Sequence, residues 1–124
     1  MAVMGIGVDV VDVERFRRAL ERTPALTGRL FGALDLERDL PAHSLAARFA
    51  AKEASLKALG GNIKGFSWHD IQVRGEAQRP PELVLSGVTA TRAGERGVLR
   101  SHLSLSHDGG LAIAFVVLEG GDQP

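Results

Sequence analysis

The chain begins with the run Val3-Met4-Gly5-Ile6-Gly7-Val8-Asp9-Val10-Val11, which leaves little freedom about what must lie beside it. Its valine and isoleucine content reads as a buried strand over residues 3–11, and in a strand alternate residues point to opposite faces. Gly5, Gly7, Asp9 and Val11 then share one face. Met4, Ile6, Val8 and Val10 share the other, which reads as a solid core face. The glycine face is bare of side chains until Asp9, so a closely packed element or a ligand can come onto the backbone there. An acid at the end of such a lane is a place to look for a cation.

The elements that follow are set by caps and spacing. Asp12 can cap a helix over 13–22, with Val13, Phe16 and Leu20 facing inward and Arg15, Arg18 and Arg22 repeating the same interval on another face. Pro24, Gly28, Gly32 and Pro41 break residues 23–42 into a short helix near 25–31 and an irregular connection. An alanine-rich helix runs from Ser44, a candidate N-cap, to Leu59, where Gly60-Gly61 stops it. Strands are expected near 70–74 and 83–86 around a turn from Gly75 to Pro81, then a helix over 88–96 ended by Gly97. Residues 101–106 and 111–119 read as a hairpin across His107-Asp108-Gly109-Gly110, since Asp-Gly and Gly-Gly tolerate positive φ. This order is an α+β layout, and 124 residues make one domain over 1–124, with a tail expected to fray over 120–124.

Composition removes several function classes. Basic and acidic side chains balance at 15 each, so no global field draws the protein to nucleic acid or an anionic membrane. With no tyrosine, one tryptophan and five phenylalanines, an aromatic platform for stacked bases is not expected. The absence of cysteine excludes disulfides, thiolate metal sites and a cysteine nucleophile, leaving oxygen or histidine as metal ligands. No basic leader precedes the first strand and no apolar run approaches the ~20 residues of a membrane span, so a soluble cytoplasmic protein is expected.

Acid and base enter the long helix at Phe49-Ala50-Ala51-Lys52-Glu53-Ala54-Ser55-Leu56-Lys57-Ala58-Leu59. Residues three and four apart share a face, which gathers Phe49, Glu53, Leu56 and Lys57. An i,i+4 pair of Glu53 with Lys57, worth about 0.2–0.5 kcal/mol, accounts for this spacing as well as any chemistry does. The alternative joins Glu53 to Asp9 as a pair for Mg²⁺, which takes one or two carboxylates and completes its shell with water and phosphate oxygens. Lys57, one turn on, would touch the same phosphate. Asp9 alone is equally a turn or cap partner, Arg15, Arg18 and Arg22 equally a solvated stripe beside Glu14 and Glu21, and His107 equally a turn residue. His43, His69 and His102 have no metal-site spacing and read as surface or packing residues, and no nucleotide or hydrolase signature occurs.

Two blocks, Gly5-Ile6-Gly7-Val8-Asp9-Val10-Val11-Asp12-Val13-Glu14-Arg15-Phe16 and Arg48-Phe49-Ala50-Ala51-Lys52-Glu53-Ala54-Ser55-Leu56-Lys57-Ala58-Leu59-Gly60, closely resemble the signature blocks of the holo-[acyl-carrier-protein] synthases, the small bacterial 4'-phosphopantetheinyl transferases. Trp68-His69-Asp70-Ile71-Gln72-Val73 and Leu103-Ser104-Leu105-Ser106-His107-Asp108 look like the later blocks, so the resemblance covers nearly the whole chain. It implies a small antiparallel sheet packed against a long helix. It also implies transfer of the 4'-phosphopantetheine arm of coenzyme A to a serine of apo acyl carrier protein. By the resemblance, Asp9 and Glu53 hold Mg²⁺, Lys57 contacts phosphate, and Arg48, Gly60, Pro81, His107 and Asp108 line the coenzyme A cleft. Arg15, Arg18 and Arg22 become contacts for the acidic carrier, and a homotrimer with active sites between subunits is implied.

One departure stands out: where the family commonly has a polar, glutamate-containing stretch after Phe31, this chain has Gly32-Ala33-Leu34-Asp35-Leu36-Glu37 and a short connection. Two rival functions use the same residues, a metal-dependent phosphohydrolase with water in place of the serine, and a carrier-binding module without catalysis. Asp9, Glu53 and Lys57 together argue against the second.

Overall fold

The computed structural model describes residues 1–75 and 79–121. Its elements are β1 (Ala2–Asp12), α1 (Val13–Arg22), α2 (Ala25–Leu30), α3 (Ala42–Ala58), β2 (Ile71–Arg74), β3 (Glu82–Leu85), α4 (Gly87–Glu95), β4 (Val98–Asp108) and β5 (Leu111–Gly120). One turn of 3-10 helix, Trp68–Asp70, precedes β2. β4 and β5 form the expected hairpin, turning at Gly109 and Gly110, both at positive φ. β1 pairs antiparallel with the other edge of β5, giving the order β1-β5-β4, and β2 pairs with β3 in a separate two-stranded sheet. The fold is the expected α+β arrangement, a small antiparallel sheet against one long helix.

Small residues decide how α3 meets that sheet. Ala46, Ala50, Ala51 and Ala54 of α3 and Ala112 and Ala114 of β5 are fully buried. A Cβ at Gly5 would sit 2.0 Å from the carbonyl oxygen of Ala58, and one at Gly7 1.8 Å from that of Ala54. The glycine lane therefore admits a helix backbone, not a ligand. Val116 and Leu118 of β5, Val73 of β2 and Leu59 close the core around this contact. A second cluster joins Phe16 of α1 with Leu30, Phe31, Ala46 and Ala47.

The other face of β1 overturns the expected core face. Ile6, Val8 and Val10 are 58%, 47% and 53% exposed, and Phe115 on β5, opposite Val8, is 45% exposed. Period-2 alternation separates two faces of a strand but does not say which one a helix covers. Here steric access decides, because only the face without side chains lets α3 approach.

Other boundaries moved by up to three residues; β4 starts at Val98 where a strand from 101 was expected. α3 begins at Ala42 behind Pro41, so Ser44 is inside the first turn and donates its backbone N–H to the Pro41 carbonyl at 3.0 Å. Proline needs no partner for a missing N–H and has its φ already set, so it can open a helix where no side chain caps it. Asp12 caps α1 as expected, accepting from the Arg15 N–H at 2.8 Å. Gly120, expected to fray, ends β5 opposite Ala2; residues 122–124 of the tail and 76–78 of the expected turn lie outside the described residues.

Candidate active site

The close approach of α3 to β1 brings Asp9 and Lys57 together. Lys57 Nζ donates to Asp9 Oδ1 at 3.0 Å and to the Val8 carbonyl at 3.2 Å. The local i,i+4 pair is not what forms: Lys57 reaches across to the strand instead of closing on Glu53. Burial pushes the Glu53 carboxyl above its usual range, the charge of Asp9 pushes it further, and Lys57 pulls it back. Asp9 and Glu53 face one pocket of about 370 Å³, whose walls include Asp12, Arg15, Phe16 and Phe49. Two carboxylates facing one pocket can hold a cation, and the ammonium beside them can donate to an anionic group that the cation brings in.

Aromatic rings form the wall behind the pocket. Phe16 stacks on Phe49 with centroids 5.3 Å apart, Phe49 lies 5.3 Å from Trp68, and Trp68 meets Phe66 edge-on at 5.1 Å. Phe16 belongs to α1, so the arginine helix is fastened to the pocket by this stack. On α1, Arg17 takes both acids, Glu14 and Glu21. Arg18 keeps only a 3.9 Å approach to Glu14. Arg15 opens into the pocket, and Arg18 and Arg22 line an adjoining hollow.

The remaining expected residues do not join this pocket within one chain. Arg48 is 7% exposed on the inner side of α3, its Nε buried without a hydrogen-bond partner. Burial lowers its proton affinity, the charge of Asp35 opposes that, and Arg38 adds to it. Pro81 lines a cleft of about 330 Å³ with Pro80, Leu83 and His102 between β3 and β4. His107 and Asp108 are exposed at the end of β4. The His107 ring packs on His43 with centroids 4.4 Å apart. Gly60, at φ +88, follows the C-cap of α3, and Arg96 Nη1 donates to the preceding Leu59 carbonyl at 2.7 Å. His69 bonds the Gly28 carbonyl and the exposed His102 bonds Glu119 at the surface.

Lys52 and Asp35 escaped the sequence reading. Both side chains are fully buried and pair at 2.8 Å. Their sequence signal was slight: Lys52 stands four residues after Arg48 on the alanine face of α3, where a cation needs a partner, but the partner sits in the irregular connection.

A long helix seated on a small sheet through a glycine lane, with two carboxylates and a lysine at the seat, makes an α+β protein in which one pocket offers a place for a cation with a donor for an anion beside it. The chain belongs to the 4'-phosphopantetheinyl transferase superfamily, whose sequence model matches residues 5–116. It is 59% identical over 122 residues to the holo-[acyl-carrier-protein] synthase of Clavibacter michiganensis subsp. michiganensis, covering 98% of this chain and 99% of the relative. Among solved structures it is similar to the holo-[acyl-carrier-protein] synthase of Neisseria meningitidis, with TM-score 0.83 and 34% identity over 94% of this chain and 98% of that one. The Helicobacter pylori holo-[acyl-carrier-protein] synthase in complex with coenzyme A matches with TM-score 0.79 and 30% identity, over 92% of this chain and 99% of that one. No helix among the described residues is long and apolar enough to cross a membrane.

Proposed function

We infer that this chain transfers the 4'-phosphopantetheine arm of coenzyme A to a serine hydroxyl of an apo acyl carrier protein, releasing adenosine 3',5'-bisphosphate. Its relatives are named for making the holo carrier, and coenzyme A is bound in the Helicobacter pylori structure. The observation that carries the reading is that Asp9 of β1 and Glu53 of α3 face one pocket beside α1 while Lys57 of α3 donates to Asp9. In the reaction the serine oxygen bonds to the β-phosphorus, the bond from that phosphorus to the bridging oxygen breaks, and the serine proton leaves toward the carboxylate pair. Lys57 donates to phosphate oxygens as charge develops on them. Its bond to Asp9 holds the ammonium at the pocket until those oxygens compete for it.

Asp9 and Glu53 fit Mg²⁺. Burial first and the charge of Asp9 second raise the proton affinity of Glu53, and a divalent cation between the two carboxylates would relieve their repulsion. Among the described residues no group of three or more His, Cys, Asp or Glu could hold a metal, so water and substrate oxygens would complete the shell. Bound there, the ion supplies charge neutralisation at the pyrophosphate.

Coenzyme A is assigned Arg48, Gly60, Pro81, His107 and Asp108, with the 3'-phosphate at Arg48 and His107. The separation of these residues from Asp9 within one chain supports a homotrimer in which neighbouring subunits complete each active site. The exposed Ile6, Val8, Val10 and Phe115 support it too, as an apolar face suited to a second copy. The acidic carrier docks on Arg15, Arg18 and Arg22; Arg17 engages Glu14 and Glu21 closely and leaves Arg18 only a 3.9 Å approach to Glu14. We propose the cytoplasm as the compartment of the reaction and fatty-acid synthesis as its setting.

Intact mass spectrometry tests the reading. An apo carrier mixed with this protein, coenzyme A and Mg²⁺ should gain the phosphopantetheine increment, and Glu53→Ala should abolish the gain. Unchanged mass across a panel of fatty-acid and polyketide carriers would overturn it. Release of adenosine 3',5'-bisphosphate without any carrier would point to a hydrolase instead.

A further inference from the structure

The inner side of α3 buries two cations against one acid. Arg48 and Lys52, four residues apart, are 7% and 0% exposed, and Asp35 from the turn after α2 is 1% exposed. Asp35 Oδ2 accepts from Lys52 Nζ at 2.8 Å and from the Gly32 N–H at 2.9 Å. Asp35 Oδ1 accepts from the Val73 N–H at 2.8 Å. Lys52 spends its other protons on the carbonyls of Trp68, at 3.0 Å, and Ile71. Both members of the pair are therefore fully engaged.

Arg48 is treated differently. Among the described residues its side chain makes no hydrogen bond or ion pair, and its Nε is buried with no partner. Its Nη2 end lies beside Gly75, where a Cβ would come within 2.8 Å. Asp35 is close enough for its charge to act on Arg48, but Lys52 holds the carboxylate. A guanidinium and a carboxylate make one of the strongest paired contacts available, so a released Asp35 has an obvious destination.

We propose that Lys52 is a positioning residue for coenzyme A binding: by holding Asp35 it keeps that carboxylate off Arg48 and leaves the guanidinium for an anionic oxygen of the substrate. This rests on the reading of Arg48 as a coenzyme A contact. Lys52 itself touches no substrate. It sets the charge that the substrate meets, leaving uncompensated a cation in a region where water screens poorly.

Calorimetric titration of coenzyme A and of 3'-dephospho-coenzyme A into the full chain separates this role from a merely structural one. Lys52→Met should weaken coenzyme A binding about tenfold, the loss of one charge-assisted contact, with a smaller effect on the dephospho compound. Asp35→Asn should act with the opposite sign, binding coenzyme A at least as tightly as the wild type. Lys52→Met with Asp35→Asn removes both charges and should return to within about twofold of wild type; it also decides the matter if the single Lys52→Met chain does not fold. Arg48→Gln should weaken binding, and adding Lys52→Met to it should weaken binding no further.

Loss of affinity in both single variants without recovery in the double would make the pair structural and overturn the inference. An Arg48→Gln chain that binds coenzyme A normally would instead remove the reading of Arg48, and the inference with it. In steady-state assays the Lys52→Met effect should appear in KM for coenzyme A and not in KM for the carrier.

Discussion

α3 carries two lysine–aspartate pairs five residues apart, and they do opposite work. Lys52 and Asp35 meet with both side chains fully buried, whereas Lys57 is 56% and Asp9 16% exposed. The inner pair also spends its remaining polar atoms on backbone groups, so no substrate can compete for either charge. The outer pair touches solvent and can exchange one partner for another. The same two residue types thus serve as a fixed staple or as exchangeable reactive groups, according to whether water and ligands can reach them.

Four substitutions would break or sharpen that contrast. The largest effect is expected at the inner pair, where Lys52→Met leaves a buried carboxylate without its cation and should cost about 3–5 kcal/mol of stability in denaturant titration. Lys57→Ala should lower kcat about 10²–10³-fold by removing a donor to the transferring phosphate. Its effect on stability should stay under about 1 kcal/mol, as for an exposed pair. If the two variants lost equal stability, the contrast would fail.

Arg18→Glu, on the helix that borders the outer pair, should raise KM for the carrier more than KM for coenzyme A, and added salt should shrink the difference. Equal changes in both constants would remove docking from α1. The smallest effect on stability is expected for Glu53→Gln, which should abolish transfer yet raise Tm at neutral pH by a few degrees. The folded-state proton affinity of Glu53 is raised, so its charge opposes folding once pH rises through that higher value. The gain should fade as pH falls toward the ordinary carboxylate range, and a Tm difference independent of pH would contradict it.

The parts of the molecule governed by local rules were readable in advance. α1 follows from Asp12 and the Val13, Phe16, Leu20 interval, and the β4–β5 hairpin from two glycines that accept positive φ. The spacing points to Asp9 with Glu53 as a metal pair and Lys57 at the same phosphate, but the direct bond of Lys57 to Asp9 does not follow from it, because that depends on how α3 seats on β1. The sidedness of β1 could not be read, since Ile6, Val8 and Val10 look like core whichever way the strand turns. Asp35 was hidden for another reason. Its partners Lys52 and Val73 are distant in sequence, and a turn rich in small residues carries no periodicity to announce a buried acid.

The ring stack behind the pocket also equips the protein with an optical reporter. Trp68 is the only tryptophan in the chain, and it is linked through Phe49 to Phe16 on the helix proposed to receive the carrier. Any tilt of α1 that moves Phe16 must change the packing, and hence the polarity, around that indole. A carrier that tilts α1 on docking would therefore be seen by intrinsic fluorescence in the unmodified protein, separately from the chemistry that follows.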